Sequence, residues 1–440
     1  MTGLVEHNSD RQPPARHRDF VFDLRPIASA LRNAVCNRLA SLDTEVEIRE
    51  QLRNDRVAAL SLSAGGPLAI TVHDPRFYRI IAMHGALGAA DAYRRGFWTC
   101  NDLTSLFRLF TRRIGSVSRL ERSLAWAASI PAYAAHLMRR NGTLDARKNI
   151  EAHYNLGNEF FSLFLDPTLT YSSGIFETGL ESMQDASIAK LDRICAKLQL
   201  EPGMEILEIG TGWGSFAIHA ARKYGCRVTT VTLSSQQLEE AQKRIASAGL
   251  NDRVSAQLRD YREVKGQFDR IASIEMIEAI GHHRLPEFFH TCASLLKNDG
   301  YMAIQAITMP DQGFEDYLRR TDVIREYIFP GSCCPSRQAI LNAATSASDL
   351  RLVHLEEIGR HYALTLAKWR GAFLSNLQPA RKLGYSDEFL RLWHFYLCYC
   401  EAGFAENHVG DVQLVFSKPG HVHRDPAPLP AIQCPKVREQ

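Results

Sequence analysis

The stretch Glu205-Ile206-Leu207-Glu208-Ile209-Gly210-Thr211-Gly212-Trp213-Gly214 decides the fold of this chain. Its first half is a short apolar run typical of a buried strand, and the second half places a glycine at every second position. The pattern from Ser215 to Tyr224 then predicts a helix. Glycine tolerates positive φ and lets a ligand approach the backbone closely, so this strand-turn-helix unit predicts a ligand-binding loop.

The spacing within this loop narrows the class of ligand. Gly-x-Gly-x-Gly differs from the dinucleotide fingerprint Gly-x-Gly-x-x-Gly, and Glu208 could orient the loop or face a positively charged ligand. Both features favour a methyl-donor site over a dinucleotide site. The next strand ends at Val231-Thr232-Leu233-Ser234 without the acidic residue that commonly holds ribose hydroxyls, so we expect Gln237 or a later residue to replace it.

Strands and helices alternate around the loop and predict an α/β fold. Alternation with helices of ten to fifteen residues is typical of a doubly wound, mostly parallel, Rossmann-like sheet with ligands at the carboxyl ends of its strands. The predicted strands are Glu205–Gly210, Arg227–Val231, Val254–Arg259, Phe268–Ile274, Tyr301–Ile307 and a late strand, Val412–Ser417. Helix-rich additions that could cover an apolar substrate are predicted at Gly313–Tyr327, Ser336–Ala347, Ala363–Leu377 and Asp387–Glu406.

The chain divides into four parts on composition and pattern. We expect a disordered leader over residues 1–20, a small α+β domain with a helical linker over 21–140, the α/β domain over 141–420 and a disordered tail over 421–440. The leader is polar and unlike a secretory signal, and the longest apolar stretch, Leu124 to Met138, is too short to span a bilayer. A cytoplasmic protein is therefore expected.

Charge and cysteine content exclude several classes of partner. The 440 residues include 52 basic and 49 acidic ones, so nothing requires a nucleic-acid partner. The ten cysteines form no Cys-x-x-Cys pair, and His282-His283 lacks a third ligand at suitable spacing, so no metal site is predicted. The segment from Arg108 to Lys148 contains nine basic and two acidic residues. This excess of positive charge could place the segment near an anionic membrane surface, or the basic residues could serve packing within the protein.

From about Asn149 to Ser417 the chain resembles the cyclopropane fatty acid synthase and mycolic acid cyclopropane synthase family. The N-terminal region is similar to the small domain that precedes the catalytic domain in longer members. The motifs that carry the resemblance, beside the glycine loop, are His153–Asn158, Leu169–Phe176, Val231–Ser234 with Gln237, Asp260–Arg262, Glu275–Gly281, Tyr327–Gly331 and Tyr396–Phe404.

The resemblance implies a cofactor, a bound ion and a set of site residues. It implies that S-adenosylmethionine contacts Tyr171, Ser172, Gly210, Gly212, Thr232, Leu233, Gln237 and Tyr261. It also implies a bicarbonate ion held by the backbone of Ser173 and the side chains of Glu278, Gln305 and Tyr362. The family has Cys at the position of Ser173 and His at that of Gln305, and these two departures leave the product open. Cys400 matches a family cysteine once assigned as catalytic, against the alternative of a buried helical cysteine.

The implied reaction adds a methylene group to the double bond of an unsaturated phospholipid acyl chain and forms a cyclopropane. An alkene that attacks a sulfonium methyl becomes a carbocation, so the site must be dry and must hold a base for the proton that closes the ring. Glu278 beside an anion must be protonated or share a proton, which requires a pKa raised by burial. The substrate implies peripheral association with the inner face of the membrane, and a homodimer is possible.

Three other functions stay open. Methyl transfer to the same double bond would give a methyl-branched or methylene-bearing chain. N-methylation of an amine would use the Glu275 to Ala279 segment as an acid/base platform, although the relatives that do so often have histidine where this chain has Ala279. A lipid-binding protein without catalysis is the non-enzymatic alternative, and Glu278, Tyr362 and the intact glycine loop argue against it.

Overall fold

The computed structural model describes residues 30–35, 46–51, 68–114 and 156–420. The large sheet has seven strands: β4 (Glu205–Ile209), β5 (Arg227–Thr232), β6 (Val254–Leu258), β7 (Phe268–Ile274), β8 (Leu296–Thr308), β9 (Arg351–Glu357) and β10 (Gly410–Ser417). Their order is β6-β5-β4-β7-β8-β10-β9, and the sheet is parallel except where β10 pairs with its two neighbours. This is the α/β, mostly parallel architecture that the alternating pattern predicts.

Helices cover the sheet and build a helical layer beyond its carboxyl edge. They are α3 (Asn158–Ser162), α4 (Met183–Lys197), α5 (Ser215–Tyr224), α6 (Ser235–Ser247), α7 (Leu285–Leu295), α8 (Phe314–Leu318), α9 (Arg337–Ala347), α10 (Gly359–Ser375), α11 (Leu377–Lys382) and α12 (Asp387–Ala405). The helical layer consists of α3, α10, α11 and α12, whose buried side chains form one apolar cluster. Buried apolar side chains on both faces of the central strands form two clusters, one around Ile271 and one around Ile206. The core therefore lies on both sides of the sheet, as parallel strands require.

The N-terminal part forms its own small sheet and packs on the helical layer. Strands β1 (Val46–Glu50), β2 (Leu68–Val72) and β3 (Trp98–Cys100) pair in that order, with helices α1 (Arg76–Arg94) and α2 (Leu103–Ile114) beside them. Its apolar cluster continues into α12 through Phe395, Cys398 and Ala402. The small α+β unit is thus joined to the large one by a shared core.

Two differences from the predicted elements have clear physical causes. The predicted helix Gly313–Tyr327 is interrupted: a 3-10 turn and α8 are followed by a π-helical turn at Ile324–Ile328, and Arg325 there donates to the carbonyls of Tyr317 and Arg320. Strand β9 was not predicted, because as an edge strand it keeps most of its side chains exposed and has no buried apolar run.

Several predictions fall outside the described residues. These are the leader, the boundary at residue 140, most of the helical linker, the start of the His153–Asn158 motif and the C-terminal tail. Within the described ranges, no helix has both the length and the apolar character needed to cross a membrane.

Candidate active site

A cavity of about 180 Å³ opens where the glycine loop follows β4, at the carboxyl ends of β4 and β5. The eight residues predicted to contact the cofactor all line it: Tyr171, Ser172, Gly210, Gly212, Thr232, Leu233, Gln237 and Tyr261. Their individual contacts with S-adenosylmethionine remain predictions. The topology explains their convergence, since ligands in such sheets bind beyond the carboxyl ends of the strands.

The cavity has the features of a site for a polar ligand. A Cβ added at Gly212, where φ is +50°, would meet no protein atom within 4 Å. The buried hydroxyl of Tyr261 and the buried Oε2 of Glu208 lack hydrogen-bond partners within the protein. Buried polar atoms are normally satisfied, so these two atoms are available to a ligand. The residues present therefore fit S-adenosylmethionine.

The second strand ends in a helix cap that fixes Gln237. Ser234 caps α6 by accepting from the backbone N–H of Gln237, and the Thr232 hydroxyl donates to Oε1 of Gln237 at 3.0 Å. The Gln237 amide is therefore hydrogen-bonded to the end of β5, and its role in place of the usual acidic residue stays a prediction.

Glu275 lies at the wall of the same cavity and adopts a backbone conformation unusual for its residue type. It directly follows β7 with φ of +47°, a left-handed value that costs a non-glycine residue about 1–2 kcal/mol. Its carboxylate accepts hydrogen bonds from the Ser173 backbone N–H at 2.9 Å, Gln305 Nε2 at 2.8 Å and the Tyr362 hydroxyl at 2.7 Å. Hydrogen bonds to a charged group contribute about 1.5–3 kcal/mol each, enough to offset the strain.

Three of the four groups predicted to hold bicarbonate thus lie close together, but they bind the carboxylate of Glu275. The Ser173 backbone N–H, the Gln305 side-chain amide and the Tyr362 hydroxyl all donate to Glu275. The donors that the ion would need are already used, so the residues do not fit a bicarbonate ion. The Ser173 hydroxyl instead donates to the Gly174 carbonyl at 3.0 Å.

Glu278, the fourth predicted ligand, lies beside this cluster with different partners. Its Oε1 accepts from the Ile307 N–H at 2.6 Å, and its buried Oε2 has no hydrogen-bond partner within the protein. Burial, with the nearby charge of Glu275, raises the pKa of Glu278 to about 8. The raised pKa expected from sequence is therefore present, and Glu278 is largely protonated at neutral pH.

Two further ionisable groups share this interior. Asp411 on β10 accepts from Gln305 Nε2 at 3.1 Å, and burial and the charge of Glu275 raise its pKa. Lys190 on α4 donates to the Ser172 hydroxyl at 2.8 Å, and burial lowers its pKa to about 8 although Glu275 and Asp411 oppose that shift. Several carboxyl groups thus surround one buried ammonium group, and carboxyl groups so close in an apolar interior share protons.

An aromatic wall closes the site on the side of the helical layer. The Tyr362 ring stacks on Phe404 with centroids 4.4 Å apart, and the Tyr171 ring lies 5.2 Å from Trp369. The hydroxyl of Tyr171 meets that of Tyr396 at 3.0 Å. Of these rings Tyr171 lines the cavity, and aromatic ring faces attract a positive charge.

Cys400 does not line the cavity. It packs against the apolar cluster that contains Tyr362 and Tyr396, and burial raises the pKa of its thiol. A thiol in that environment remains protonated, so the structure favours the packing role over the catalytic one.

The sequence analysis did not name Lys190 or Asp411 as members of the site, and it named Glu275 only within the Glu275 to Ala279 segment of the N-methylation alternative. Glu275 carried one usable signal, an acidic residue directly after a predicted central strand, where parallel sheets bind ligands. Lys190 and Asp411 carried none, because they reach the site from a helix and an antiparallel strand distant in sequence.

Comparison with known proteins agrees with this geometry. The family model for mycolic acid cyclopropane synthetase matches residues 142–414. The chain is 36% identical to the tuberculostearic acid methyltransferase UfaA1 of Mycobacterium tuberculosis, over 90% of this chain and 93% of that protein. It is 32% identical to the cyclopropane-fatty-acyl-phospholipid synthase of Escherichia coli, over 82% of this chain and 91% of that one.

Comparison with solved structures also finds a member of this family. The mycolic acid cyclopropane synthase CmaA1, complexed with SAH and CTAB, superposes with a TM-score of 0.58 at 33% identity, over 62% of this chain and 98% of that one. With the cofactor cavity and the matched sequence in agreement, the chain belongs to the cyclopropane fatty acid synthase and mycolic acid cyclopropane synthase family and is an S-adenosylmethionine-dependent lipid methyltransferase.

Proposed function

We propose that this enzyme transfers a one-carbon unit from S-adenosylmethionine to the double bond of an unsaturated phospholipid acyl chain, and that Glu275 removes the proton released in the reaction. The observation that carries the proposal is the buried Glu275 carboxylate, held by three donors at the cavity wall. A carboxylate held at a strained backbone position indicates a functional role, since strain of this kind persists mainly at active sites.

The proposed reaction balances as follows. Bound S-adenosylmethionine supplies an electrophilic methyl group on a positively charged sulfur. The π electrons of the alkene form the new C–C bond as the C–S bond breaks, and the positive charge passes to the acyl chain. Glu275 then accepts a proton from the added methyl group, and the electrons of that C–H bond close the cyclopropane. The chain gains CH₂ overall.

The surrounding residues make Glu275 suitable for this role. Burial raises its pKa, while the donors Ser173, Tyr362 and Gln305 and the charge of Lys190 act against that shift. A base with a raised pKa binds a proton more readily at neutral pH than an exposed glutamate. Tyr362 and Tyr171 hold aromatic surface beside it, which keeps water from the cation.

A methylene-branched chain is the second candidate product. A hydride shift toward the first cation would leave the charge on the carbon that bears the new methyl group, and Glu275 would take a proton from the same methyl. UfaA1, which matches 90% of this chain, is named a methyltransferase, and Ser173 and Gln305 depart from the family pattern in the site itself. Both products add the same mass, so mass alone does not separate them.

Mass spectrometry of lipids tests the proposal. The purified enzyme is incubated with S-adenosylmethionine and vesicles of a monounsaturated phospholipid, and the acyl chains are expected to gain fourteen mass units. Proton NMR then separates ring protons from alkene protons of a methylene branch. A gain of sixteen mass units, or methylation of the head group, would overturn the proposal.

Glu275→Gln is the decisive variant, and Glu239→Gln is its matched control. Gln preserves shape but cannot take the proton, so we expect product formation to fall by at least about 100-fold with S-adenosylmethionine affinity nearly unchanged. Glu239 makes an exposed pair with Lys243 on α6, so the same chemical change there should leave turnover at the wild-type rate.

A further inference from the structure

The orientation of the Gln305 amide is determined by a chain of hydrogen bonds that begins outside the site. Gln305 on β8, Gln413 on β10 and Glu356 on β9 lie directly opposite one another across three neighbouring strands. Lys197, the last residue of α4, lies over this row and donates to Glu356 Oε2 and to Gln413 Oε1, both at 2.6 Å.

The two amides continue this chain in one direction. Gln413 Nε2 donates to Gln305 Oε1 at 3.0 Å, and Gln305 Nε2 donates to Glu275 at 2.8 Å and Asp411 at 3.1 Å. An ammonium group can only donate, so Gln413 must turn its oxygen toward Lys197 and its NH₂ toward Gln305. Gln305 must then turn its own NH₂ toward the two carboxyl groups. The polarity of the chain follows from the chemistry of Lys197 without any observation of hydrogen positions.

The reversed orientation of Gln305 would damage the site. Its oxygen would then face the carboxylate of Glu275, and two acceptors would meet in a buried space. Glu275 would lose one of its three donors and bind a proton more readily, so less of it would be in the form that accepts a proton from substrate.

We propose that Lys197, acting through Gln413, is a positioning residue that keeps Gln305 a donor to Glu275 and so keeps Glu275 ready to accept a proton. This inference rests on the proposed role of Glu275. Two glutamine side chains separate Lys197 from that carboxylate, and Lys197 does not line the cofactor cavity.

The properties of Lys197 support this role. Its side chain is only 2% exposed, and its partner Glu356 is also bound by Arg193. Burial lowers the pKa of Lys197 to about 8, while Glu356 opposes the shift, so the ammonium form predominates at neutral pH. Burying a charged lysine is costly. An ion pair with Glu356 would not by itself require the second hydrogen bond, from Lys197 to Gln413, so that bond points to a separate role.

The test compares Lys197→Met with Arg193→Met in the full-length enzyme. Both variants remove a cation from Glu356, but only Lys197 begins the amide chain. We expect Lys197→Met to lower kcat at least tenfold with KM for S-adenosylmethionine within twofold of wild type, and Arg193→Met to keep kcat within threefold. An equal loss of kcat in the two variants would assign Lys197 to scaffold stability and overturn the inference.

Two further measurements make the test specific. One is the effect of Lys197→Met in the Gln305→His enzyme, and the other is the pH profile of kcat. In Gln305→His the imidazole can donate to Glu275 by choosing its tautomer, so the further effect of Lys197→Met on kcat should shrink below threefold. The acid limb of the kcat profile, set by Glu275 among Lys190, Glu278, Asp411 and Tyr362, should move to higher pH in Lys197→Met and stay in place in Arg193→Met. An undiminished effect in Gln305→His, or an unmoved acid limb, would contradict the inference.

The outcome for Glu275→Gln separates the two proposals. Wild-type turnover in Glu275→Gln would remove the proposed function and this inference together. Loss of turnover in Glu275→Gln with wild-type turnover in Lys197→Met would remove only the positioning role.

Discussion

The hydroxyl of Tyr362 lies 2.7 Å from Oε2 of Glu275, and the other oxygen of that carboxylate accepts from Ser173 and Gln305. Tyr362 comes from α10 and Glu275 from the turn after β7, so the contact joins the helical layer to the end of the central sheet. Burial and the neighbouring carboxylate raise the pKa of Tyr362, so its hydroxyl remains a donor. The hydrogen bond between Glu275 and this donor therefore depends on how the two layers pack together.

Glu275→Gly is expected to convert the enzyme into one that needs bicarbonate. Glycine accepts φ of +47° without strain, and the lost side chain leaves a space of carboxylate size facing the same three donors. We expect the wild-type rate to be unaffected by removal of bicarbonate. Without bicarbonate, the Glu275→Gly enzyme should turn over at least about 100-fold more slowly than the wild type. Added bicarbonate should restore part of that rate.

Glu275→Gln provides the control for that experiment, because its side chain fills the space and should prevent rescue. Initial rates in degassed buffer across a bicarbonate series measure all three proteins. A wild-type enzyme that stops without bicarbonate would contradict the assignment of Glu275 as the base.

Gly212→Val is expected to abolish binding of S-adenosylmethionine, with Gly249→Val as its matched control. Both glycines have positive φ, +50° and +68°, and a Cβ at either position meets no protein atom within 4 Å. The backbone strain is therefore similar, but only Gly212 lines the cofactor cavity. Calorimetric titration should show lost affinity for Gly212→Val alone. Equal affinities in the two variants would argue against the cofactor site.

Glu278→Gln is expected to weaken the pH dependence of stability. The folded-state pKa of Glu278, about 8, is above its ordinary value of 4.5, so the folded protein binds more protons than the unfolded chain between these values. This stabilisation is complete below about pH 4.5 and is lost as pH rises to 8, by on the order of a few kcal/mol. The fall in Tm from pH 5 to pH 8 should therefore be smaller in the variant.

Glu208 and Asp411 also have raised pKa values, so part of the wild-type fall should persist in Glu278→Gln. An identical fall in Tm in both proteins would contradict the raised pKa of Glu278. We further expect the variant to bind S-adenosylmethionine normally and to turn over at least about 100-fold more slowly.

The basic segment from Arg108 to Lys148 is expected to divide into two functions. Arg108 and Arg112 both donate to Glu406 at the end of α12, so they join the N-terminal unit to the catalytic one. Exposed or half-exposed pairs contribute up to about 1 kcal/mol each. Replacing both by Gln should lower Tm by roughly 2–4 °C with vesicle binding nearly unchanged.

Arg139→Gln with Arg140→Gln tests membrane docking in the part of the segment outside the described residues. This double variant should weaken binding to anionic vesicles, most strongly at low salt, and leave Tm unchanged. Vesicle sedimentation across a salt series beside a melting curve measures both effects. Binding that does not depend on salt would remove the docking role.

The sequence alone determined the class of fold, the cofactor and the position of its site. The strand and glycine loop at Glu205 to Gly214 are contiguous, and the alternation of strands and helices after them leaves few topologies. The eight residues expected to contact the cofactor were named from the resemblance to the family, and six of them lie in short motifs at or just after the ends of three consecutive strands. Local patterns of this kind are readable, since backbone conformation and ligand approach are both set within a few residues.

Only the tertiary structure decided which carboxylate the predicted bicarbonate ligands hold. Ser173, Gln305 and Tyr362 lie far apart in sequence, and whether they meet Glu275 or Glu278 depends on the positive φ at Glu275, which turns its side chain toward all three. The same holds for Lys197, which reaches Gln305 only through a facing pair across antiparallel strands. Hydrogen-bond geometry between distant segments depends on distances of a few tenths of an ångström, which packing fixes and residue order does not.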